Sequence, residues 1–80
     1  MSEDAIENLA VGDRAIVVGF NKGAPGYRRK LLSMGLTPGV EFSITRLAPM
    51  GDPVEIRVRG FGLSLRKTEA VALRIKRMGA

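Results

Sequence analysis

Residues 31–60 read LLSMGLTPGVEFSITRLAPMGDPVEIRVRG and hold a helix end, two turns and two strands. Leu31 and Met34 share one side of a helix's last turn. Gly35 stands where helices commonly end on a left-handed residue, which glycine adopts without steric cost. Pro38 cannot extend a helix, and Pro38-Gly39 is a turn pair. Val40, Phe42 and Ile44 then alternate with Glu41, Ser43 and Thr45, the period-two pattern of a half-buried strand. After the turn Pro49-Met50-Gly51-Asp52-Pro53, Val54, Ile56 and Val58 alternate with Glu55, Arg57 and Arg59. The spacing predicts one antiparallel hairpin with an apolar inner face and a charged outer face. Leu47 falls one residue out of phase, which a β-bulge or the end of the strand explains.

Upstream, residues 1–8 are polar and read as a loose start, with Asp4 and Glu7 a candidate capping pair. Gly12-Asp13 is a turn, and Arg14–Phe20 is a strand with apolar residues on both faces, hence central or covered on both sides. Asn21–Gly26 is a loop rich in Gly and Pro. Tyr27, Leu31 and Met34 then fall at helical spacing, with Arg28, Arg29 and Lys30 on the remaining faces. A helix of about two turns is too short to stand alone and must dock on the sheet. Downstream, the glycines of Gly60-Phe61-Gly62 suggest a bend or a corner where one strand passes between sheets. Leu63 and Leu65 continue an inward alternation, a helical turn starts near Thr68, and Leu73 and Ile75 mark a last short strand. The fold class is therefore mainly β: a small, partly open β-barrel of the SH3-like kind, with about five strands and one short amphipathic helix. An OB-like barrel ranks lower because its helix usually lies later in the chain.

The 80 residues make one domain, 1–80, without repeats or low-complexity segments. A chain this short buries only about 60–65% of its unfolded surface, and no cysteine is present to staple it. The acidic start lacks the apolar core of a secretory signal, and no apolar run approaches the roughly 20 residues that span a bilayer. The expectation is a cytoplasmic protein without membrane insertion. Thirteen basic against eight acidic residues give a net charge of +5, which permits an acidic partner of several kinds and selects none.

Catalytic chemistry finds little to work with. His and Cys are both missing, which removes the common nucleophile–base pairs and Cys/His zinc sites. Glu41 and Glu55 face outward on neighbouring strands, where Arg46, Arg57 and Arg59 are cross-strand partners rather than parts of an acid–base pair. Gly60-Phe61-Gly62 lacks the third glycine and the helix of a dinucleotide fingerprint. No catalytic residue, cofactor or metal ligand is expected. The four methionines are scattered and read as packing residues. Basic groups at Arg28-Arg29-Lys30, Arg57/Arg59 and Arg74/Lys76/Arg77 allow a nucleic-acid interface, but stacking aromatics among them are too few for that reading to lead. Leu36, Pro49, Met50 and Pro53 are apolar residues at turns, where they either fold back on the barrel or face a partner.

Three segments together carry a family resemblance: Leu31–Gly39 (LLSMGLTPG), Ala48–Pro53 (APMGDP) and Leu63–Arg66 (LSLR). In that order they resemble the ferrous iron transport protein A (FeoA-like) family, over about Gly12 to Ile75. The resemblance implies an SH3-like barrel and a small cytoplasmic accessory protein of bacterial ferrous iron uptake. Its implied partner is the membrane ferrous iron transporter, which carries a G-protein-like domain. The candidate contact residues are Tyr27, Arg28, Arg29, Leu31, Leu32 and Met34 of the helix, Gly35, Leu36, Pro38 and Gly39 after it, and Met50, Gly51, Asp52 and Pro53 at the hairpin tip. The rival functions are a basic nucleic-acid-binding barrel and a metal-responsive regulatory domain. Self-association through strand edges stays open.

Overall fold

Alternation in the central hairpin becomes a ladder in the computed structural model, which describes residues 5–21 and 25–79. Strands β2 (Glu41–Leu47) and β3 (Val54–Val58) pair antiparallel, with Phe42 opposite Val58 and Ile44 opposite Ile56. The register shifts between Ile44 and Arg46, so the slip at Leu47 is a bulge. Thr45 sits in the bulge and donates its hydroxyl to the Glu55 carbonyl at 3.1 Å. The connection is a β-turn over residues 48–51, closed by the Gly51 N–H on the Ala48 carbonyl (2.8 Å), with Met50 at φ 72° and Gly51 at φ 75°.

Strand β1 (Arg14–Phe20) lies beside β2, and β5 (Leu73–Arg77) beside β1. β4 (Phe61–Leu65) pairs with β3, giving the order β4-β3-β2-β1-β5. β1 is thus internal, as its apolar pattern suggests, although its second face is only part-covered: Val18 is exposed. The sheet wraps a core of Val17, Phe42, Ile44, Ile56, Leu65 and Ile75, each nearly or fully buried. Ile6 joins this core from a 3₁₀ turn over Ile6–Asn8, so the loose start does not reach residue 6. The Asp4–Glu7 capping pair and loop residues 22–24 lie outside the described residues.

Helix α1 (Pro25–Ser33) starts two residues before the spacing suggests, because proline at the first helical position costs no hydrogen bond. Its end is decided by Gly35, at φ 92°. The Leu36 N–H donates to the Leu31 carbonyl and the Gly35 N–H to the Leu32 carbonyl, both at 3.0 Å. This closing pattern brings together the two residues that flank it, and Leu31 and Leu36 are both completely buried. The Pro38-Gly39 turn then closes with the Val40 N–H on the Thr37 carbonyl (3.0 Å), and Gly39 donates to the Val17 carbonyl (2.7 Å). That bond ties the turn to β1.

Of the bend and the corner expected around Gly60, the corner between sheets is overturned. The chain reverses in a tight two-residue turn, with Arg59 at φ 52° and Gly60 at φ 84°, joining β3 to β4 with Val58 opposite Phe61. Arginine is an uncommon choice for a left-handed position, so the residue type concealed the turn. The helical turn near Thr68 is α2 (Lys67–Ala70).

Candidate partner-binding surface

Two helix ends and the hairpin tip meet on one side of the molecule. Asp52, at the tip, accepts the N–H of Lys67 at 3.1 Å and so caps α2 from fifteen residues away. Glu69 is buried on α2 and accepts the Arg66 N–H at 2.9 Å, while its other carboxylate oxygen pairs with Lys30 of α1. The Lys30 ammonium, and then the Arg66 N–H, hold the Glu69 carboxyl below its ordinary value, against the opposing effect of burial. The tip, α1 and α2 are thereby pinned to one another.

This framework presents apolar side chains to solvent. Met50 is 95% exposed on a left-handed backbone, Val71 follows α2 and is half exposed, and Leu47 leaves the bulged end of β2 partly uncovered. With Ile6, Val54 and Ala70 they border a cavity of about 200 Å³, at whose rim stands Lys67. Asn21 fixes the Val71 turn: its side-chain amide donates to the Val71 carbonyl (2.6 Å) and its N–H to the Ala72 carbonyl (2.8 Å). Such a cluster on a rigid frame suits capture of an apolar side chain. Among the described residues no three His, Cys, Asp or Glu side chains converge as a metal site would require, and no helix is long and apolar enough to cross a membrane.

The fourteen sequence-predicted contact residues separate into groups. Met50 and Gly51 border the apolar cavity, while Asp52 and Pro53 line an adjoining groove with Lys30, Ser64, Arg66 and Glu69. Met34 and Gly35 line a further cavity beside Phe61. Tyr27, Arg28 and Arg29 are exposed along α1, and the Arg28 guanidinium stands 5.9 Å from the centre of the Phe20 ring. Leu32 is half-buried, and Pro38 and Gly39 are exposed at their turn. Leu31 and Leu36 have no exposed surface and belong to the core, not to any contact face. The closing bond of the helix end draws Leu36 inward, and a leucine directly after Gly35 is the sequence signal for that. Sequence reasoning missed Leu47, Lys67 and Val71. Only the out-of-phase Leu47 left a trace, as the break in alternation.

The FeoA domain family model matches residues 5–77. The chain belongs to the FeoA family. A curated relative, an Fe(2+) transport protein A/Fe(2+) transporter FeoB fusion protein of Porphyromonas gingivalis, is 30% identical over 71 residues, covering 89% of this chain. The chain spans only 8% of that fusion protein's length. The solution structure of an FeoA-like protein from Clostridium acetobutylicum superposes with a TM-score of 0.89 at 32% identity, covering all of this chain and 92% of the other. FeoA of Stenotrophomonas maltophilia, described as a prokaryotic SH3 domain protein, superposes at 0.77 over 91% of this chain and 89% of its own. At 21% identity that likeness speaks to the fold alone. The family is linked to ferrous iron transport, and the SH3-like architecture expected from the strand pattern is the one observed.

Proposed function

We propose that this FeoA domain is a non-catalytic accessory protein of ferrous iron uptake in the cytoplasm, acting by contact with the membrane iron transporter and its G-protein-like domain. The observation that carries the reading is Met50, an apolar side chain held 95% exposed on a left-handed backbone beside Leu47 and Val71. Strained, exposed apolar positions concentrate where partners bind. The fusion relative supports the choice of partner, because there a transport protein A segment and a transporter share one polypeptide. Met50, Leu47 and Val71 form the anchor site. Gly51 sets the tip's backbone, Asp52 holds the tip against α2, and Pro53 lines the groove beside it. Arg28 and Arg29, exposed on α1, steer the approach of an acidic surface. Tyr27, Pro38 and Gly39 extend the candidate surface on that side.

The test is binding to the purified transporter in nanodiscs, measured by biolayer interferometry. Met50→Ser and Val71→Ser should each weaken binding about tenfold, in line with loss of a central apolar anchor, while leaving the thermal melt in place. Wild-type affinity in both variants refutes the site. A complete lack of binding by the wild-type chain refutes the partner.

A further inference from the structure

The two edges of the sheet are built differently. β5 places Arg74, Lys76 and Arg77 on an edge of five residues, the usual protection against pairing with another chain. β4 (FGLSL) has no charge and no proline, and Phe61 is 72% exposed. The Arg59-Gly60 turn makes Val58 and Phe61 the closing hydrogen-bonded pair, so Phe61, Leu63 and Leu65 turn their backbone groups toward β3. Gly62 and Ser64 therefore turn theirs to the open side. Both residues are exposed, and neither makes a backbone hydrogen bond outside the ladder among the described residues.

That open side is a groove with a second wall. Lys30, Ser33 and Met34 follow one face of α1 and its end, and they line cavities of about 520 and 410 Å³ together with Ser64 at one end and Phe61, Gly62 and Leu63 at the other. A free strand edge facing a helix across a groove is the arrangement that accepts an extended peptide as an added strand. Met34, Val58, Phe61 and Leu63 offer an apolar seat at one end. Arg59 stands at that apolar end without an acidic partner among the described residues, whereas at the other end Arg66 and Lys30 are matched by Asp52 and Glu69.

We infer that the groove between β4 and α1 binds an extended segment of a partner protein, with alternating apolar residues and an acidic end seated beside Arg59, as a sixth strand on the free N–H and C=O groups of Gly62 and Ser64. Charge counts against a second copy of this chain. In the fully overlapped antiparallel register, with Phe61 opposite Leu65 of the other copy, Arg59 meets Lys67 of that copy at both ends. Like charges facing each other oppose that pairing. The inference stands on the β4 edge and is independent of the transporter reading.

The probe is a capped nonapeptide of alternating valine and threonine with two glutamates at one end, added to isotope-labelled protein and followed by backbone NMR. The Gly62 and Ser64 amides should shift and gain protection from hydrogen exchange, with secondary shifts at Lys30 and Met34. Replacing both glutamates by lysines should abolish binding at the same salt. Methylating one backbone nitrogen that faces β4 should weaken binding about tenfold. Ser64→Pro, which removes an outward N–H that edge strands can spare, should do the same without lowering the melting temperature. The proposal is overturned if no peptide shifts these amides at millimolar concentration, or if the methylated peptide binds as well as its parent. It is equally overturned if Gly62 and Ser64 shift on dilution without peptide, which would make the occupant a second copy.

Discussion

Replacing Glu69 by glutamine should reveal how strongly the two helices are held together. The carboxylate is buried, at 3% exposure, and takes the Lys30 ammonium on one oxygen and the Arg66 N–H on the other. Glutamine keeps a carbonyl for Arg66 but removes the charge that Lys30 meets. Hydrogen bonds to charged groups contribute about 1.5–3 kcal/mol. The Lys30 side chain is 56% exposed, so water screens its part and the lower end applies. The expected loss at pH 7 is about 1–2 kcal/mol, which in a domain of this size lowers the melting temperature by roughly 4–16 °C. The pH dependence gives a sharper signature. The folded-state pKa of Glu69 lies below its ordinary value of 4.5, so the unfolded chain binds its proton first as pH falls. The stabilisation is fully present above that ordinary value and is lost as pH falls through the folded one. Urea unfolding of both proteins from pH 7 down to pH 3 should therefore show a gap that narrows in acid. An unchanged midpoint at pH 7, or a gap of constant size across the range, would refute the reasoning.

Three further substitutions probe the frame by the same urea assay. Leu36→Ala should cost about 2–5 kcal/mol, because a fully buried leucine is removed from the closure of α1. Gly35→Ala should cost about 1–2 kcal/mol through the backbone alone, since φ is 92° and an added Cβ meets nothing within 4 Å. Asp52→Ala should cost about 1 kcal/mol by leaving the Lys67 N–H uncapped, with the loss localised by faster hydrogen exchange in α2.

Much of the fold was legible because its signals are local. The alternation of Val40–Ile44 and Val54–Val58, the glycine after Met34 and the Pro38-Gly39 pair each specify geometry within a few residues. The slip at Leu47 even marked the bulge. The Arg59-Gly60 turn was not legible, because a left-handed arginine is imposed by the hairpin rather than preferred by the residue. The candidate site was less legible for a related reason. Leu36 looked like a surface residue until the helix end folded it inward, and Leu47, Lys67 and Val71 converge only through pairing across the sheet and the placement of α2. Contacts of that kind leave no periodicity. The uncharged β4 edge was visible in FGLSL, yet its significance depends on the groove that α1 forms beside it.

The central claim, that the FeoA domain meets its transporter through the Met50 cluster, is tested most directly by mapping the contact. Isotope-labelled protein would be titrated with the transporter's cytoplasmic G-protein-like domain, with GDP and with a GTP analogue, and followed by backbone NMR. The account predicts localised shifts at Leu47, Met50, Gly51 and Val71, which vanish in the Met50→Ser variant. Shifts confined to residues 27–39, or unchanged shifts in that variant, would contradict it.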